Sequence, residues 1–360
     1  MARYGKTKAG TQRWSCASCK ATSTRKNNND AKILRQFLSW LLSKGVHRDM
    51  PGEGRSFRRK TARFWKIWAL PPLCDEIHRV VYVDGIYLSR KAVILIARSD
   101  EYVLGWYLAR SENSRAYEAL LSRIAPPTVV VTDGGSGFEK ARRRVWKHTR
   151  VQRCIFHAFS QIKRYTTTRP KLQAGVELYE IALELLHLDI LKEADAWVDK
   201  YLKWCTKWED FLNEKTYGEG KSWEWTHARL VKARNSLNTL VSKHTLFTYL
   251  DPILTEDGPL PATNNKLEGG VNAPLRQLIR NHKGMNIEHK IKAVFWWCYL
   301  HSEDPLAPAE MLRTLPTDRD IKELCLRHSN TNQDDGPEEW GSGIDWNDFR
   351  FSLPYKMDWD

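Results

Sequence analysis

Asp84 stands in the middle of "RVVYVDGIYL" (residues 79–88), a run of β-branched and aromatic residues that reads as an interior strand. An unpaired carboxylate there is costly, so it calls for a partner. Asp133 follows valines 129–131 and Thr132 and precedes a glycine-rich turn, "VVVTDGGSGF", which puts a second carboxylate at the carboxyl end of a strand. Two carboxylates on neighbouring strands, about 4.8 Å apart, repel until one takes a proton or a cation sits between them. Oxygen-only ligands select a hard divalent ion, here Mg²⁺ with Mn²⁺ able to substitute. In phosphoryl transfer two such ions about 4 Å apart clamp the attacking and leaving oxygens. The third acid expected is Glu268 in "TNNKLEGGVNAPLRQLIRNHKGM" (263–285), where Thr263 or Asn264 can start a helix that Gly269, Gly270 and Pro274 keep short or kinked. Arg276, Arg280, His282 and Lys283 follow and suit phosphate contacts. The plain alternatives are that Asp84 is a turn or edge residue beside Gly85, that Glu268 is a surface glutamate, or that Glu209, Asp210 or Glu224 is the third acid. The glycine turn lacks the GxxxxGK[ST] signature, which excludes a P-loop.

The elements that must position these acids are legible by period. Strands are expected over 79–88, 91–99 and 101–109, with the first turn at Ser89 and Arg90; their close succession implies an antiparallel meander. A helix over 114–124, a strand over 127–133, a helix from 136 and a fifth strand, "RVQRCIFH" (150–157), complete the order βββαβαβ. That layout resembles the ribonuclease H-like fold, in which the first and fourth strands lie side by side. Residues 165–258 read as an all-helical insertion whose tryptophans, 197, 204, 208, 223 and 225, are expected in its core rather than as stacking platforms for bases. The glutamate-bearing part of the core then runs over 259–302, after a first part at 76–164.

The net charge of +14 is concentrated at the start: residues 1–69 hold 17 Lys and Arg against Asp30, Asp49 and Glu53, while the remainder balances at 40 and 40. Such a head is the footprint of a phosphate-binding module. Within it, Asp30 is expected to cap a helix reaching to Gly45, and Ser56 a second one that packs Phe57, Ala62, Trp65 and Trp68 while showing Arg58, Arg59, Lys60, Arg63 and Lys66 outside. Residues 30–70 thus resemble a helix-turn-helix DNA-binding region; a basic helix that merely packs on the next domain is the alternative. The region 303–360 is acidic and expected to be loosely ordered or docked on a basic surface. The longest apolar run, "AVFWWCYL" near 293–300, is too short to span a membrane, the start lacks a signal-peptide core, and seven cysteines without framework spacing fit a reducing compartment. A cytoplasmic protein is expected.

Four segments in order, "YVDGIYL", "VVVTDGGSGFEKA", "RCIFHAFSQIKR" and "TNNKLEGGVNAPLRQLIRNHKGM", resemble the DDE transposases of bacterial insertion sequences, in the Mutator-like group, over roughly residues 76–300. The resemblance implies a catalytic triad of Asp84, Asp133 and Glu268 binding two Mg²⁺ ions, double-stranded DNA as partner (terminal repeats and target), and a homodimer or larger assembly on DNA. Cys154 and His157 fall at the group's Cys-x2-His position, as a local support, a DNA-end contact or a buried structural pair. Cys16 and Cys19 resemble the back half of a zinc ribbon over 1–29; nothing upstream is Cys or His, so the chain starts at an internal methionine or the ribbon is truncated, and a complete Zn²⁺ site needs a distant ligand or a second subunit. The rival readings are a ribonuclease H-like nuclease or resolvase that cuts without joining, and an inactive DNA-binding derivative.

Overall fold

The computed structural model describes residues 1–24, 29–50, 52–89, 91–218 and 222–328. They form two compact units: residues 1–67 with 306–315, and residues 68–305 with 316–328.

In the first unit the polar start is a sheet. β1 (Ala2–Lys6), β2 (Gln12–Ser15) and β3 (Thr22–Thr24) pair antiparallel in that order. Cys16 and Cys19 occupy the β2–β3 turn, where Lys20, at φ +58°, donates to Cys16 O at 3.0 Å. The Cys19 backbone N–H, with the Ser18 hydroxyl and N–H, pulls the Cys16 thiol down to about 6. Among the described residues no His, Asp, Glu or further Cys completes a three-ligand cluster with this pair.

α1 (Asp30–Leu42) buries Leu34, Phe37, Leu38 and Leu41 along one stripe, and the later helix Pro308–Thr314 packs on it. Asn29 rather than Asp30 is its cap; Asp30 lies in the first turn, where its charge suits the helix dipole, and pairs with Arg63 at 2.7 Å. α2 (Arg55–Thr61) is capped by Gly54 rather than Ser56: Gly54 has φ +80°, and a Cβ there would lie 2.3 Å from His47 O. From Ala62 to Lys66 the helix tightens to 3₁₀, so burial recurs every third residue at Thr61, Phe64 and Ile67. That corrects the expected face, since Ala62 is exposed and Trp65 only half-buried. Arg58, Arg59, Lys60, Arg63 and Lys66 are exposed as expected. The α1–α2 connection, residues 43–54 with a 3₁₀ turn at His47–Asp49, is longer than the turn of a helix-turn-helix.

The second unit is mixed α/β. β4 (Val80–Leu88), β5 (Ala92–Arg98) and β6 (Val103–Ala109) form the meander, with Ser89 at φ +53° in its first turn. α3 (Ser114–Leu121), β7 (Val129–Thr132), α4 (Ser136–Val145) and β8 (Arg150–Arg153) follow. The sheet order is β6-β5-β4-β7-β8, antiparallel within the meander and parallel for β4–β7 and β7–β8. Val81, Val83, Val93 and Leu95 on one face pack with Leu120, Phe138 and Trp146.

The fifth strand is shorter than its alternation suggests. α5 (Ile155–Thr166) begins immediately after Cys154, because Ile155, Ala158, Phe159 and Ile162 are buried at helical spacing, so His157 lies on a helix. The insertion comprises α6 (Gln173–Glu184), α7 (Leu191–Lys207), α8 (Glu209–Leu212), α9 (Ala228–Ser242) and α10 (Pro252–Thr255). Trp197 and Trp204 are its core, donating to Ile181 O at 2.7 Å and Ala174 O at 3.0 Å. The insertion is not all helical: β9 (Lys215–Tyr217) and β10 (Trp223–Trp225) pair as a hairpin, favoured by Thr216, Tyr217 and the two tryptophans and by the helix-breaking Gly218. α11 (Asn265–Leu267), a π-helical stretch over Glu268–Asn272, α12 (Ala273–Asn281) and α13 (Ile287–Leu300) close the core, and a last helix spans Asp318–His328. Most of the acidic region, 329–360, lies outside the described residues, as do residues 25–28. Among the described residues no helix is long and apolar enough to cross a membrane.

Candidate active site

Strand register brings the two aspartates together. Val83 pairs with Thr132 across β4–β7, and Thr132 with Arg153 across β7–β8. The next residues are Asp84 within β4, Asp133 just past β7 and Cys154 just past β8, so these occupy equivalent positions along three adjacent strands, and Cys154 N–H donates to Thr132 O at 2.9 Å. Asp84 accepts from Gly85 N–H on Oδ1 and from Asn272 Nδ2 on Oδ2, both at 2.8 Å. Burial, then the Asp133 charge, push the Asp84 carboxyl up to about 6, with Glu112 adding to it and His157 opposing it.

Glu268 opens the π-helical stretch, which ends at Asn272, the residue that bonds Asp84 on β4. The segment is latched from β5: Arg98 Nη1 donates to Lys266 O at 3.1 Å, and Lys266 Nζ pairs with Asp100 Oδ1 at 2.7 Å. Gly270 admits Arg98, whose Nη1 would lie 2.4 Å from a Cβ at that position.

Cys154, His157 and Glu268 present donor atoms within 4.8 Å of one another, a sulfur, nitrogen and oxygen set. The Cys154 sulfur accepts from Asn264 N–H at 3.3 Å. The Cys154 hydrogen bond, with the Glu268 and Asp133 charges, holds the His157 imidazole above its usual range against burial. His157 Nδ1 lies 3.5 Å from Glu268 Oε1, an ion-pair separation rather than a formed hydrogen bond, and both atoms are buried without a hydrogen-bond partner. Orphaned polar atoms of Arg153, Asn264 and Asn272 lie on the same elements. Of these atoms the oxygens of Glu268, Asn264 and Asn272 can ligate a cation, whereas the Arg153 and Asn264 nitrogens are donors and cannot. The carboxylate oxygens of Asp84, Asp133 and Glu268 suit a hard ion.

The remaining expected site residues separate. Glu209 and Asp210 on α8 and Glu224 on β10 are exposed within the insertion, on elements other than those that carry Asp84 and Asp133. Arg276, Arg280 and Lys283 are exposed on and just beyond α12, whereas His282 is buried and so is no surface phosphate contact. Sequence reasoning passed over Asn272, Arg153 and Glu112. A polar residue after a glycine pair, a basic residue ending a strand and a glutamate before a helix cap each look ordinary alone.

Residues 75–244 match the Mutator family of transposases. Over 199 residues the chain is 25% identical to the transposase for insertion sequence element IS905 of Lactococcus lactis subsp. lactis (strain IL1403), covering 49% of this chain and 50% of that protein. The chain thus spans about half the length of this curated relative. The family match contains Asp84, Asp133, Cys154 and His157 and ends before Glu268.

Proposed function

We propose that the chain, whose residues 75–244 match the Mutator family of transposases, is an insertion-sequence transposase that cuts DNA at its element's ends and joins the freed 3′-hydroxyl to a target phosphodiester. The observation that carries this reading is the register placing Asp84 and Asp133 on neighbouring strands, with the Glu268 segment hydrogen-bonded onto Asp84 through Asn272. The sheet order, with the first strand of the meander beside the fourth, supports a ribonuclease H-like core.

Asp84, Asp133 and Glu268 would hold Mg²⁺, or Mn²⁺ in its place, which when bound supplies activation of the attacking oxygen and neutralisation of charge on the transferred phosphate. The chain's own residues position these acids. Asn272 and the Gly85 N–H fix both oxygens of Asp84; His157, held by Cys154, faces Glu268; and the Arg98, Lys266 and Asp100 contacts hold the π turn in register with the sheet. Arg276, Arg280 and Lys283 follow directly on the Glu268 segment and suit the DNA backbone. In the first unit, Arg58, Arg59, Lys60, Arg63 and Lys66 form the basic face proposed to bind element ends. Two such ends are joined by a homodimer or larger assembly in this reading.

The test is a strand-transfer assay on duplexes carrying the element ends, in Mg²⁺. Joined products support a transposase; ends that are cut and never joined would replace it with a nuclease.

A further inference from the structure

Glu112 follows β6, just before the Asn113 cap of α3, and its charge acts on both aspartates. Three glycines make room for it. A Cβ at Gly85 would lie 2.6 Å from Glu112 Oε1, one at Gly137 would lie 2.7 Å from Glu112 O, and one at Gly135 would lie 3.9 Å from Oε2. Gly85 follows Asp84 and Gly135 belongs to the turn after Asp133, so one glycine beside each aspartate borders this side chain, while Gly137 admits the Glu112 backbone carbonyl. The Tyr117 hydroxyl, 3.2 Å from Oε2, and the Tyr87 hydroxyl donate to the carboxylate and orient it. Glu112 and Asp133 act on each other as like charges, and Glu112 also acts on Asp84. A half-buried glutamate beside two carboxylates, with no Lys or Arg bonded to it among the described residues, stays ionised together with them at low cost only where a cation shares the site; otherwise one of the acids takes a proton.

We infer that Glu112 is a fourth carboxylate of the divalent-cation site, a positioning residue that adds negative charge beside Asp84 and Asp133 and raises the site's affinity for the metal. The inference rests on the metal-dependent reading of Asp84 and Asp133.

The test is Mn²⁺ titration of the full chain by calorimetry, without DNA, for wild type, Asp84→Asn, Glu112→Gln and Glu112→Asp. Gln keeps an acceptor for the tyrosines and removes only the charge. Glu112→Gln is expected to weaken Mn²⁺ binding about tenfold, the scale of a supporting residue around a metal. A loss of less than about threefold in Glu112→Gln, with binding abolished in Asp84→Asn, overturns the role of Glu112 and leaves the site itself standing. Wild type that binds no Mn²⁺, or Asp84→Asn that binds as wild type does, overturns both. Circular dichroism checks folding; should Glu112→Gln unfold, Glu112→Asp, which keeps the charge but withdraws it, decides on the same thresholds.

Discussion

Asn272 Nδ2 donates to Asp84 Oδ2 at 2.8 Å, joining residues 188 apart in the chain. The bond ties the π turn that begins at Glu268 to the central strand, and it occupies the Asp84 oxygen not already held by Gly85 N–H. Replacing Asn272 by Ala is therefore expected to slow cleavage about 10–100-fold, as loss of an orienting partner does, while DNA retention in gel shifts stays at the wild-type level. Cleavage at the wild-type rate would remove Asn272 from the positioning of Asp84.

The basic face of the first unit makes a separable prediction. Arg58, Arg59 and Lys60 are exposed on one short helix, where they can meet phosphates. Changing all three to Ala should weaken DNA binding across sequences and reduce the salt slope by about 0.9 for each phosphate that is no longer neutralised. An unchanged slope would take α2 out of the interface.

The meander and the strand positions of the two aspartates were legible because continuous β-branched and aromatic runs bounded by turn residues are local properties: β4, β5 and β6 are buried almost throughout and lie within a few residues of the runs at 79–88, 91–99 and 101–109. Asn272 and Glu112 were not, because their meaning comes from register and from turns that bring distant segments together. The Cys154–His157 segment shows the limit of a pattern read alone: "RVQRCIFH" alternates like a strand, but the next apolar residues recur at helical spacing and the helix wins from Ile155. In the insertion, four aromatic and β-branched residues around Gly218 were enough to make a hairpin inside a helical stretch.

Asp100 gives a pH dependence. Burial would raise its carboxyl, but hydrogen bonds from Lys266 and Tyr82 outweigh burial and leave it below the ordinary range. A depressed carboxylate stabilises the fold above the unfolded value, about 3.9, and loses that contribution as pH falls through the folded value. The Asp100 side chain is 49% exposed, so the effect is small. Asp100→Asn should lower Tm near neutral pH, with the gap from wild type closing as pH falls through and below about 4. A gap independent of pH would mean that the charge contributes nothing to holding the latch.

Glu268 is the decisive acid, because the family match stops before it while the fold sets it beside His157 and Cys154, four residues before the Asn272 that bonds Asp84. The most direct measurement compares wild type with Glu268→Gln on element-end duplexes in Mg²⁺, reading cleaved and joined products beside DNA retention. The account predicts that both products fall below detection in Glu268→Gln while binding to the ends is kept. Cleavage and joining retained in Glu268→Gln would contradict it and move the third carboxylate elsewhere in the chain.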